Sequence, residues 1–181
     1  MRNSHTMACA PTVSNAIISG GVSQGIEPIV AVYFSQKTAK GSFTRKNKQL
    51  ETLLETYSKN TFEVWNEINK NGGSVQTLDF LSDLEKEVFL TAREINQFAI
   101  IRQAAQRQKW IDQGQSINLF FSLPKDNQDL NLKFNFTKYI HDCHIEAWQT
   151  GVKSLYYCRS ESTLKGDSVY REASDCKACE A

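Results

Sequence analysis

Three short stretches of the chain carry side chains whose chemistry goes beyond packing. In GVKSLYYCR, residues 151–159, the adjacent Tyr156 and Tyr157 close an apolar run. A phenol can lose an electron with a proton and regain both, so a stacked pair at the C-terminal end of a strand would make a relay. Side chains alternate along a strand, which gives the plainer alternative of one core tyrosine and one surface tyrosine. In SDCKACEA, Cys176 and Cys179 form a CxxC. No helix start stands behind it to lower a thiol pKa. The pair reads either as a tethered dithiol, exchanging with a buried disulfide and then being reduced by a partner, or as ordinary tail thiols. In APTVSNA, the residues Thr12, Val13, Ser14 and Asn15 fall at a helix start. Backbone N–H groups, hydroxyls and the helix dipole make an anion site there, with simple capping as the alternative.

The other candidates are plainer. Cys9, Cys143 and Cys158 lie in apolar or strand contexts and read as packing residues. His141 and His144, three apart on an expected helix, belong to surface or core. A zinc half-site at the CxxC lacks a second ligand pair, so no metal site is expected. A net charge of +1 gives no basic excess for nucleic acid or an anionic membrane. No apolar run approaches the ~20 residues of a membrane span, and MRNSHTMACA lacks the apolar stretch of a secretory signal. Five cysteines in such a chain are expected to stay reduced unless redox-active, as in a cytoplasmic protein.

The elements that must position these residues follow from local signals. The first ten residues read as a short strand ending at Pro11, and PTVSNAIIS as a helix start. Gly20, Gly21 and Gly25 mark an irregular loop. Leu50, Leu53, Leu54 and Tyr57 give the span 45–57 a helical period. Asn60 with Glu63 suits a capping box for a helix bearing Phe62, Val64, Trp65 and Ile68, ended by Asn71-Gly72-Gly73. Ser82 with Glu85 opens a long helix to about Ile111, with Val88, Ile95, Phe98 and Ala99 on one face and AREINQ largely toward solvent. SINLFF, between Gly114 and Pro124, reads as a strand. A helix capped by Asn135 or Thr137 runs through Tyr139, Ile140, Cys143 and Ala147 to Gly151, and VKSLYY forms a last strand. The polar stretch after Arg159 reads as a flexible tail, dividing the chain into 1–159 and 160–181. This order is α/β. Three strands separated by long helical stretches make a poor sheet alone, so the chain looks like a piece of a larger sheet or barrel.

Taken in order, RNSHTMACAPTVSNA, GIEP, DQGQSINLFF, GVKSLYY and CKAC resemble the C-terminal part of the large, catalytic subunit of class I ribonucleotide reductase. The resemblance spreads over nearly the whole chain. It implies the closing segment of a ten-stranded α/β barrel, incomplete alone, and an oxidoreductase role in supplying deoxyribonucleotides for DNA replication. It implies that Tyr157 receives a radical at the interface with the small subunit and that Tyr156 passes it to an active-site cysteine. Cys176 and Cys179 would re-reduce the active-site disulfide and be reduced by a thioredoxin- or glutaredoxin-type protein. Thr12, Val13, Ser14 and Asn15 would hold the diphosphate of a ribonucleoside diphosphate. Asn15 departs from the threonine or serine commoner there, which puts affinity rather than role in doubt.

The family's thiyl-forming cysteine and the partner cysteines of its disulfide belong upstream, and no asparagine-x-cysteine-x-glutamate pattern occurs here. The resemblance therefore implies a component inactive without the N-terminal part and the small subunit. The small subunit would carry the metal and radical cofactor, and this chain would bind none. A naturally split large subunit is the expected origin, acting in a cytoplasm (the host's, if phage-encoded). The rival is a truncated, non-catalytic remnant that caps a reductase.

Overall fold

The computed structural model describes residues 3–20, 23, 25–38, 41–122 and 130–160. They fall into two compact units. One comprises residues up to Pro28 and from Arg93 onward, and the other Ile29–Ala92.

The Ile29–Ala92 unit opens with an antiparallel hairpin, β1 (Tyr33–Thr38) and β2 (Gly41–Lys46), in the register Tyr33↔Lys46 to Thr38↔Gly41. This hairpin has no counterpart among the expected elements, and β2 takes Arg45 and Lys46 from the expected helix. The cause is a cap: Asn47 Oδ1 accepts the Leu50 N–H at 3.0 Å, so α2 runs Lys48–Thr56. Helix α3 (Phe62–Lys70) starts one residue later than expected. Its N-cap is Thr61, because the Asn60 side chain accepts the Trp65 indole N–H at 2.7 Å and is unavailable for a capping box. The capping box of Ser82 and Glu85 forms as expected and opens α4 (Asp83–Val88). Val32, Leu50, Leu54, Trp65, Ile68, Val75, Leu78 and Leu81 make this unit's core. Each buried aliphatic side chain contributes roughly 1.5–3 kcal/mol through its removal from water.

Gly73 joins helix α3 to that core at φ +81°, where a Cβ would lie 2.3 Å from the Ala31 Cβ. Strain in the left-handed region and overpacking act together there. Gly73→Ala is expected to lower the unit's stability by about 3 kcal/mol. Urea unfolding followed by tryptophan fluorescence checks this, and an unchanged midpoint would refute it.

The expected long helix to Ile111 is interrupted. The Ala92 N–H donates to the Ile29 carbonyl at 2.8 Å, and a fresh cap, Asn96 accepting from the Phe98 N–H, starts α5 (Gln97–Gln108). Val88 and Ala99 are exposed, and Gln97, at 1% exposure, is in the core rather than in solvent.

In the other unit, α1 (Val13–Ile18) and α5 are joined by β3 (Leu119–Phe121), α6 (Leu130–Gln149) and β4 (Cys158–Ser160). Helix α6 begins ahead of the expected caps, Asn135 and Thr137, and ends as expected before Gly151, whose φ is +78°. Strands β3 and β4 are parallel, Leu119↔Cys158 to Phe121↔Ser160, with α6 as the crossover that parallel neighbours require. The expected first strand is reduced to one parallel bridge, Cys9↔Gln115. Ile100, Ile101, Ala104, Ile117, Leu119, Phe121, Cys143 and Ala147 form the core. Tyr139 packs edge-on to Phe121 and Phe98 at 5.7 and 5.4 Å between ring centroids, and its hydroxyl accepts the Gln97 N–H. Among the described residues there are two small sheets and no closed barrel.

Candidate functional site

The segment 114–119 organises the candidate residues. N–H and C=O groups of an extended chain alternate between its two edges. On one edge the Gly114 carbonyl accepts the Cys9 N–H and the Ser116 N–H donates to the Cys9 carbonyl, at 3.3 and 2.8 Å. On the other edge the Ile117 carbonyl accepts the Tyr156 N–H and the Leu119 N–H donates to the Tyr157 carbonyl, at 2.8 and 2.9 Å. The N-terminal stretch and the tyrosine stretch therefore flank one central strand-like segment.

Buried glutamines fix that segment. The Gln97 Oε1 accepts the Phe120 N–H at 2.9 Å, and the Gln115 Nε2 donates to the Ala104 carbonyl at 2.8 Å, tying the segment to α5. Arg107 Nε donates to Gln115 Oε1 at 3.0 Å. A Cβ at Gly114 would lie 2.5 Å from Ser154 Oγ, so a side chain there would displace the hydroxyl that donates to the Gln115 carbonyl.

Tyr156 and Tyr157 lie together. Their ring centroids are 4.1 Å apart with planes tilted by 52°, so neither the opposed-face arrangement nor parallel stacking applies. Both precede β4 instead of ending a strand, so the regular alternation of a paired strand does not bind them. Tyr156 is 44% exposed, and Tyr157 is half-buried with the Arg159 guanidinium 4.9 Å from its ring centroid. A cation over the ring face is attracted by the π quadrupole and holds the ring.

Two residues beside the pair had no role in the sequence reading. Asn118 Oδ1 accepts the Tyr157 N–H at 3.3 Å, and Asn118 Nδ2 donates to Glu27 Oε1. Glu27 lies in the GIEP stretch and is 5% exposed. Its position, 91 residues from Asn118, left no local signal.

Thr12 and Asn15 are exposed at the start of α1. Thr12 is the N-cap and makes no side-chain capping bond, so the simple capping alternative is not realised through it. Val13 and Ser14 supply the first turn of this six-residue helix. The approach to α1 is pinned by Asp112. Its Oδ2 accepts the Thr6 hydroxyl and the Thr6 N–H at 2.6 and 2.7 Å, and its Oδ1 accepts the Met7 N–H at 2.9 Å. The Thr6 hydroxyl, then the Met7 and Thr6 N–H groups, hold the Asp112 carboxyl down to about 2 from its ordinary 3.8. A depressed folded-state pKa stabilises the attachment fully above 3.8 and loses that contribution as pH falls through about 2. The Met7 amide resonance is expected to titrate in that window and to lose the transition in Asp112→Asn. A Met7 resonance unmoved by acid in the wild-type chain would contradict this.

Cys143 is fully buried against α5, and burial pushes its thiol up to about 11, as befits a packing residue. Cys9 is half-buried at the bridge to Gln115. Cys158 is exposed, which corrects its reading as a packing residue; it opens β4 opposite Leu119, and partial burial still raises its thiol pKa. His141 and His144 stand on exposed turns of α6. Among the described residues no group of three or more His, Cys, Asp or Glu could hold a metal ion, and no helix is long and apolar enough to cross a membrane. Cys176 and Cys179, with the tail 161–181, lie outside the described residues.

The ribonucleotide reductase barrel domain matches residues 1–158, and the chain belongs to that family. It is similar to the ribonucleoside-diphosphate reductase large subunit of Invertebrate iridescent virus 6, 45% identical over 91% of this chain and 16% of that protein. The large subunit of Invertebrate iridescent virus 3 is 40% identical over 99% of this chain and 29% of that protein. The solved Actinobacillus ureae class Id ribonucleotide reductase alpha subunit superposes with a TM-score of 0.67 at 42% identity, over 84% of this chain and 26% of that one. The chain thus spans less than a third of the length of these relatives and corresponds to a C-terminal portion of a large or alpha subunit.

Proposed function

We propose that this chain supplies the C-terminal part of a ribonucleoside-diphosphate reductase large subunit, completing a ten-stranded barrel together with the upstream part of that subunit. The observation that carries the reading is the 4.1 Å contact between the Tyr156 and Tyr157 rings in a member of this family. Two phenols in contact can exchange a hydrogen atom over a short path. A radical arriving from the small subunit, which would carry the metal and radical cofactor, takes an electron and the phenolic proton from Tyr157. Tyr157 regains its phenol by taking an electron and a proton from Tyr156. Tyr156 in turn takes a hydrogen atom from a cysteine thiol of the upstream part, and that thiyl acts on the ribose.

Thr12, Val13, Ser14 and Asn15 bind the substrate diphosphate at the start of α1. The uncapped start of that helix and the two exposed polar side chains support this. Cys176 and Cys179 pass two electrons and two protons to the disulfide left by turnover, becoming a disulfide themselves. A thioredoxin- or glutaredoxin-type dithiol then restores them. The setting is cytoplasmic, and neither nucleic acid nor membrane is a partner.

The test is ribonucleoside-diphosphate reduction by this chain, the upstream part of the subunit and the small subunit, mixed in all combinations. Deoxyribonucleotide is expected only with all three. Chains that co-purify as a complex yet stay inactive would replace this reading with that of a remnant capping a reductase.

A further inference from the structure

We infer that Glu27 and Asn118 are a positioning pair for the tyrosine relay: the carboxylate fixes the orientation of the Asn118 amide, and the amide fixes the backbone of Tyr157. Its catalytic consequence rests on the function proposed above, whereas its structural content does not.

The argument begins with the amide. An asparagine side chain has a donor end and an acceptor end of nearly the same shape, and only its partners decide which faces where. Asn118 has a carboxylate on one side and a backbone N–H on the other. Glu27 Oε1 takes the Nδ2 donor, which leaves Oδ1 for the Tyr157 N–H at 3.3 Å. An ionised carboxylate accepts only, so the flipped amide would set oxygen against oxygen and N–H against N–H. Both bonds would be lost together.

The carboxylate is itself held in place. Glu27 is 95% buried, its carbonyl accepts the Ser23 hydroxyl, and Gly25 packs over it so tightly that a Cβ would lie 2.9 Å from Oε2. Burying a carboxylate is expensive unless it serves as an acceptor for specific donors, and among the described residues Asn118 is the donor to Oε1 while Oε2 has no hydrogen-bond partner. This group is not a generic stabiliser of the core.

The place it acts on is the point where the rings meet. Tyr156 is held by the Ile117 carbonyl and the Tyr157 carbonyl by the Leu119 N–H, both main-chain bonds. The Tyr157 N–H is taken instead by a side chain, the one between them in sequence. That bond sets the peptide plane joining Tyr156 to Tyr157, and thereby the directions of both Cα–Cβ bonds. A shift of a few tenths of an ångström in that plane moves the rings relative to each other, and transfer between positioned groups is sensitive to such displacements.

The experiment uses Asn118→Asp, Glu27→Gln and the double variant in the full 181-residue chain. Asn118→Asp keeps an acceptor for Tyr157 but sets two carboxylates against each other. Adding Glu27→Gln restores a donor–acceptor pair with its polarity reversed, and one carboxylate oxygen stays free for the Tyr157 N–H. Hydrogen exchange read by NMR is expected to speed up about tenfold at the Tyr157 amide in Asn118→Asp. The Ala104 amide in α5 should not change, and the double variant should return the Tyr157 rate toward wild type. In the reconstituted reductase, kcat should fall about tenfold in Asn118→Asp with the substrate KM unchanged, and recover in the double variant. Unchanged exchange in Asn118→Asp overturns the pair, as does a double variant no better than the single one. An active wild-type mixture whose kcat ignores Asn118→Asp overturns the positioning role. A wild-type mixture that makes no product, with the exchange pattern intact, refutes the reductase function and leaves the pair standing.

Discussion

Tyr156→Phe, and separately Tyr157→Phe, is expected to lower ribonucleoside-diphosphate reduction by the assembled enzyme to background, a loss of at least about a thousandfold. Phenylalanine keeps the ring, its apolar area and its contact with the neighbouring ring, so packing alone gives no reason for loss. It removes the O–H, and with it the ability to give up an electron and a proton together. The two rings sit 4.1 Å apart in a surface-accessible stretch, with Tyr156 44% exposed. Neither side chain belongs to the hydrophobic core, so the variants should fold and assemble as the wild type does. Their melting temperatures and co-purification with the upstream part and small subunit check that control. A phenylalanine variant that assembles and turns over normally would remove the relay from the account.

The second large effect concerns the tail. Cys176→Ser and Cys179→Ser are each expected to stop multiple turnovers driven by a thioredoxin-type protein, again to background. A serine hydroxyl can neither attack a disulfide nor form one, and a shuttle needs both thiols: one to form the mixed disulfide, the other to resolve it. A small dithiol such as dithiothreitol reaches the active-site disulfide directly and should restore slow turnover in both variants. The substrate KM should stay unchanged. Equal activity of Cys176→Ser and wild type with the protein reductant would return these residues to ordinary tail thiols.

What the sequence disclosed depended on how local the deciding interactions were. The Ser82–Glu85 capping box, the glycine stop at Gly73 and the end of α6 at Gly151 are settled within a few residues, and each was readable. The break between α4 and α5 was not, because the Ala92 N–H pairs with the Ile29 carbonyl, far away in the chain. The β1–β2 hairpin escaped for a different reason. Strand β2 is mostly exposed and shows no apolar alternation, and the leucine periodicity beyond Asn47 drew the helix boundary too early. The last strand was placed a few residues too soon, since its ladder begins only where Cys158 meets Leu119.

The candidate site divides in the same way. The tyrosines and tail cysteines declare themselves by residue type and adjacency. The contact between the tyrosine rings does not, since alternation assigns them opposite faces and only their position ahead of β4 releases them from it. Glu27 and Asn118 carry no motif at all, and their partnership exists only once the chain has folded.

The central claim is that Tyr156 carries a radical to chemistry performed jointly with the upstream part of the large subunit. A single-turnover assay tests it most directly: wild-type or Tyr156→Phe chain, mixed with the pre-reduced upstream part, the small subunit and a ribonucleoside diphosphate, with no external reductant. With the active-site thiols of the upstream part already reduced, a first turnover does not depend on Cys176 and Cys179. The account predicts a burst of deoxyribonucleotide from the wild-type mixture and none from Tyr156→Phe. A burst of the same size from both, or none from a wild-type complex that has fully assembled, would contradict it.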